Sequence, residues 1–105
     1  MTPWVLLFIA GLFEMGWALG IKYANGFTRP WPTAITVVSL IASMAFLGIA
    51  VRTLPLGTAY AIWTGIGTVG IAIAGILLFQ EPATALRIGF IALIVVGILG
   101  LKLTA

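Results

Sequence analysis

The chain has only two acidic residues, and one of them, Glu14, stands inside the apolar stretch LFIAGLFEMGWALGIKYANGF at residues 7–27. At 1.5 Å per residue on a helix, Glu14 lies ~15 Å from Trp4 and ~12 Å from Lys22. That puts it near the middle of a hydrocarbon layer ~30 Å thick. An ionised acid there costs roughly 2.5–3.5 kcal/mol, and acids so placed mark ion or proton pathways. The carboxyl therefore either stays protonated and bonds to a neighbouring helix, or holds a proton or a cation in a water-accessible cavity. The second acid, Glu81, sits beside Pro82 in a connection and needs no such account. Trp17, Ala10, Gly11 and Ala18 share the helical face of Glu14 by i, i+3 and i, i+4 spacing. The small residues let another helix approach closely. The competing reading of Trp17 is a member of an interfacial aromatic belt.

Other polar groups fall on two further helical faces. Tyr60, Trp63, Thr64 and Gly67 form one face, whose hydroxyl and indole donors could hold a carboxylate and whose rings could face a cation. An interfacial belt is the competing reading there too. Thr36, Ser39 and Ser43 form the other. Such hydroxyls often bond back to the carbonyl four residues earlier, and Ser43, the deepest, is the best placed to reach a carboxylate.

GIGTVG at residues 65–70 matches a dinucleotide-binding pattern, but it lies within an apolar run rather than between a strand and a helix. Its glycines read as points of kinking or close packing, and Gly97 and Gly100 of GILG as a packing face for a partner helix. With no cysteine or histidine in the chain, thiolate chemistry and the usual metal ligands are missing. No nucleophile has a base beside it. The residues support neither an enzyme nor a bound metal or cofactor.

These side chains need elements to position them. The chain of 105 residues is 63% hydrophobic and 7% charged, against about 25% charged residues in soluble domains. It reads as an all-α integral membrane protein forming one domain, residues 1–105. Four apolar runs, at about 4–21, 33–51, 57–79 and 86–102, are separated by KYANGFTRP, RTLPL and QEPAT. The first three fit a span of ~20 residues. The fourth is short between Arg87 and Lys102, which can snorkel outward. Only helices can cross, because lipid cannot satisfy free backbone groups.

The N-terminal run lacks a positive flank and contains Glu14, so it reads as a retained span rather than a cleaved signal. The five basic residues are scattered singly, which excludes a nucleic-acid-binding face. With four spans, Arg52 and Lys102 fall on the side of the termini and Lys22, Arg29 and Arg87 on the other. That balance sets no orientation: it reads either as chance in a small protein or as insertion both ways up. So small a bundle encloses little, which favours oligomerisation.

The glutamate of the first span, the K…GFTR pattern from Lys22 to Arg29, and P-x-G-x-AYAIW-x-G-x-G from Pro55 to Gly67 together resemble the small multidrug resistance family along nearly the whole chain. FEMGW and GTAYAIWTGIG are similar to its guanidinium-exporter (Gdx or SugE) branch. The resemblance implies an antiparallel, dual-topology homodimer in the bacterial inner membrane that exchanges protons for a cation. It implies that Glu14 is the essential carboxylate and that Trp17, Ser43, Tyr60 and Trp63 are binding-site residues. It implies a hinge at the glycine-rich stretch, here Gly65 and Gly67, and dimer packing through the fourth helix.

Two antiparallel copies would bring two Glu14 side chains to one cavity, where protons and guanidinium compete. Guanidinium is planar and carries its donors in a fork that fits a carboxylate. Trp17 and Ser43 would then orient the carboxylate, and Tyr60 and Trp63 would shape the portal. Rival readings are an exporter of quaternary ammonium or lipophilic cations, a passive cation channel in which the carboxylates form a ring, and a membrane subunit with no transport of its own.

Overall fold

The computed structural model describes residues 2–104, and these form four helices: α1 Pro3–Ala24, α2 Pro30–Ala50, α3 Leu56–Leu78 and α4 Ala85–Thr104. All four are long and apolar enough to cross a membrane. At 1.5 Å per residue, 20 to 23 residues give about 30–35 Å, the thickness of the hydrocarbon layer.

The helix ends follow from local chemistry. Thr2 caps α1, its hydroxyl accepting from the Val5 N–H at 3.3 Å, with Pro3 in the first turn, where no N–H is needed. The C-terminal end of α1 carries Lys22, favourable against the helix dipole. The chain then leaves through three left-handed residues, Asn25 (φ 49°), Gly26 (φ 70°) and Phe27 (φ 66°). Pro30 opens α2 rather than excluding it, so the helix starts before the apolar run near residue 33. Pro55 precedes α3. α4 also outruns its apolar stretch. Thr84 caps it by accepting from the Arg87 N–H at 3.2 Å, and the Arg87 guanidinium reaches back to Glu81 at 3.3 Å. Arg87 and Lys102 thus lie in the first and last turns of the helix.

α1 is the centre of the fold and packs along α2 and α3, while α4 packs on α3 and contributes no buried residue. The α1–α2 seam depends on small residues. Gly16 lies under Ser39, where a side chain would be a tight fit, and Gly20 under Thr36, where any side chain would collide with the threonine hydroxyl. Phe13 and Phe46 stack across the same seam with centroids 5.8 Å apart. On the α3 side, Gly11 receives Ile66 and Gly70 receives Met15. The buried core is small: Leu7, Ala10, Leu47, Ala50, Ala59, Ile62 and Trp63. Large apolar side chains such as Phe8, Val38, Leu93 and Leu103 point outward, as they must on helices that are apolar all round.

Candidate functional site

Glu14 lies in the middle of α1 and turns its carboxyl onto Gly67 of α3. The carboxyl fills the place a side chain at Gly67 would take, with Oε2 2.6 Å and Cγ 2.8 Å from the position of a Cβ. Residue 67 must therefore be glycine for the carboxyl to rest there. Glu14 is half-buried. Its Oε2 is fully enclosed and has no hydrogen-bond partner among the described residues. An unpaired buried polar atom costs about 1–3 kcal/mol, more for a charged one, so this oxygen is a place where a proton or a donor cation would be stabilised. The indole N–H of Trp17, one turn further along α1, is likewise enclosed and unpartnered, as is the Thr64 hydroxyl on α3. Beside Glu14 an open depression of about 370 Å³ is lined by Glu14, Ala18, Gly67, Thr68, Ile71 and Ala72.

One turn below Glu14, three helices are tied at a single atom. The Ser43 hydroxyl donates to the Ala10 carbonyl at 2.7 Å. The Trp63 indole N–H reaches the Ser43 oxygen at 2.9 Å and the same carbonyl at 3.3 Å. In α-helical geometry that carbonyl also accepts from the N–H of Glu14, four residues on. Ser43 and Trp63 therefore hold the helix turn that carries Glu14, and neither bonds to its carboxyl. Tyr60 meets Trp63 edge-on at 5.3 Å. Yet the two differ sharply in exposure, 54% for Tyr60 and 5% for Trp63: one faces outward and the other is a strut.

The structure thus places Ser43 and Trp63 one turn below Glu14 and Trp17 one turn above it along α1, with Tyr60 at the edge beside Trp63. Gly67 is the seat of the carboxyl. Gly65 instead faces α4, with Ile98 2.9 Å from its Cβ position, and Gly97 and Gly100 have nothing within 4 Å. The sequence reasoning missed the Ala10 carbonyl, which no side-chain pattern reports, and the lining by Thr68, Ile71 and Ala72. Those three extend the face of Thr64 and Gly67 at helical spacing, and following it further along α3 would have found them. No group of three His, Cys, Asp or Glu that could hold a metal occurs among the described residues.

The pattern of the Small Multidrug Resistance protein family matches residues 2–94. The chain belongs to the small multidrug resistance family. Within it, the chain is similar to the protein named Guanidinium exporter of Escherichia coli (strain K12), 56% identical over 101 residues covering 96% of each chain. It is 57% identical, over the same share of each chain, to the proteins of that name from Citrobacter freundii and Salmonella typhimurium. Small multidrug resistance proteins are carriers and not enzymes. With its four apolar helices, this member is a multi-pass protein of the bacterial inner membrane.

Proposed function

We propose that this protein is a proton-coupled antiporter that exports guanidinium, and that Glu14 is the group for which protons and substrate compete. The observation that carries the reading is the enclosed, unpartnered Oε2 of Glu14 beside an open depression, in a chain so similar to proteins named guanidinium exporters. Guanidinium offers paired N–H donors in one plane, and a carboxylate accepts two of them in parallel at about 2.7–2.9 Å. A proton on the carboxyl removes both the charge and one acceptor, so occupancy by one excludes the other. The unpartnered Trp17 N–H, one turn along α1, can fix the carboxylate once it turns away from Gly67. Ser43 and Trp63 position it indirectly, through the Ala10 carbonyl, and Tyr60 borders the portal.

The working unit is an antiparallel homodimer of oppositely inserted copies. This accords with the near balance of basic residues on the two sides, Arg52 and Lys102 against Lys22, Arg29 and Arg87. The depression is open on one side in a single chain, and an inverted copy would close it and bring a second Glu14 to face the first. Two such carboxyls titrate as a pair. The uncovered Gly97 and Gly100 face of α4 offers a surface on which small residues let helices meet. The proton-loaded and cation-loaded dimers change access by rocking at Gly65 and Gly67, and the empty, ionised dimer does not. Export then runs on the proton gradient.

The test is transport by purified protein in sealed vesicles under an imposed pH gradient. Radiolabelled guanidinium should accumulate against its own gradient and stop doing so when the pH gradient is collapsed. Persistent uphill uptake by Glu14→Gln, or downhill flux that ignores the pH gradient, would refute the exchange.

A further inference from the structure

A second and larger cavity, about 580 Å³, lies on the other side of the α1–α3 seam and is distinct from the depression at Glu14. Its walls are Phe8 and Leu12 of α1, Ile66 and Val69 of α3, and Val95 and Leu99 of α4. Its far end is closed where Met15 packs onto Gly70. The polar group at its mouth is the ammonium of Lys102, in the last turn of α4, 5.7 Å above the ring of Trp4 near the start of α1. This is a greasy slot with a cation at its water-facing end.

We infer that this slot is a phospholipid site: one acyl chain lies between α1 and α4, and the lipid phosphate sits on Lys102. The dimensions favour this occupant. Trp4 and Met15 are eleven residues apart on α1, so the slot is ~16 Å deep. That is half of a ~30 Å hydrocarbon layer, the depth one acyl chain occupies in one leaflet. Every lining side chain apart from Lys102 is apolar or aromatic, so the slot offers hydrocarbon contact along its length and one positive charge at its end, the distribution that matches an acyl chain below an anionic headgroup.

The geometry of α4 keeps the slot free. Val95, Ile98, Leu99 and Lys102 form one stripe at i, i+3, i+4, i+7 spacing and line the slot. Leu93, Gly97 and Gly100 form another, roughly opposite at 100° per residue. A second copy seated on the glycine stripe leaves the slot facing lipid. Tryptophan and lysine together at the mouth are the residues that settle at headgroup level, and the ammonium complements a phosphate. The lipid would also press on Ile98, the side chain that fills the notch over Gly65.

The test uses full-length protein purified in mild detergent, with phosphatidylglycerol added back and bound lipid counted by native mass spectrometry. One retained phosphatidylglycerol per chain is expected. Leu99→Trp should abolish retention by filling the slot, and Leu93→Trp, on the opposite stripe, should leave it unchanged. Lys102→Gln should weaken it about fivefold, the effect of the ~1 kcal/mol a basic residue contributes beside an anionic headgroup, and Lys102→Arg should restore it. Equal retention by wild type and Leu99→Trp overturns the slot, and equal affinity in Lys102→Gln overturns the headgroup assignment. Because the chain has no cysteine, Leu99→Cys gives a unique thiol. Efficient disulfide cross-linking of two copies through it would show that a partner, not lipid, covers this face.

Discussion

Replacing Gly67 by alanine puts a methyl group where the Glu14 carboxyl now lies. The new carbon would stand 2.6 Å from Oε2 and 2.8 Å from Cγ, whereas ordinary contact begins near 3.4 Å. The carboxyl carbon lies closer still, so the carboxyl must withdraw by roughly 1 Å, and misplacing a reacting group by about 1 Å can cost 10²-fold. Alanine gains ~1 kcal/mol of helix propensity over glycine. Overpacking costs about 1–3 kcal/mol, so the fold should lose no more than about 2 kcal/mol while the site loses far more. Gly67→Ala should raise the guanidinium concentration for half-maximal transport about 10- to 100-fold, measured as concentration-dependent currents from vesicles on a solid-supported membrane. Gly57→Ala, with open space at its Cβ, is the control and should stay within twofold of wild type. A residue acting only as a hinge would change the maximal rate and leave half-saturation alone. Half-saturation within twofold of wild type in Gly67→Ala would refute the role of Gly67 as the seat of the carboxyl.

Further outcomes follow from the same geometry. Ser43→Ala and Trp63→Phe each remove one donor from the Ala10 carbonyl and leave the other. Each should cost about 0.5–1.5 kcal/mol of thermal stability, and the double variant should cost more than the sum because it leaves the shared acceptor without either donor. Trp17→Phe keeps a ring and removes only the unpartnered N–H. Competition assays should find it poorer at preferring guanidinium over quaternary ammonium ions, whereas a tryptophan serving only as an interfacial anchor would leave that preference intact. Arg87→Met breaks an exposed pair with Glu81, worth less than about 1 kcal/mol, and transport should be unchanged within twofold.

The four helices were legible because nothing else in the chain competes with 63% apolar residues broken by proline and short polar loops. The ends were less legible. The fourth run ends near its charges, but neither the Thr84 cap that opens α4 nor the return of the Arg87 charge to Glu81 shows in an apolar pattern. The prominence of Glu14 was plain, since a buried acid has few ordinary explanations. What it touches was not. Helical periodicity gives the face of a residue but not which neighbour meets that face, so Ser43 read as a partner of the carboxylate when it bonds to a backbone carbonyl. Tyr60 and Trp63 sit one turn apart on a nominal single face, yet only Trp63 is buried, bonded to Ser43 of α2 and the Ala10 carbonyl of α1. Gly67 read as a hinge because a missing side chain looks like flexibility; its second use, as room for a carboxyl, shows only once α1 lies against α3.

The most direct measurement of the exchange at Glu14 is proton release on substrate binding. Purified protein in weakly buffered detergent, at a pH where the carboxyls are partly protonated, receives guanidinium while a pH electrode follows the solution. Wild type should acidify it in proportion to occupied sites, and Glu14→Gln should give no change. Guanidinium binding by wild type without proton release, or undiminished release by Glu14→Gln, would contradict competition of the two cations for this side chain.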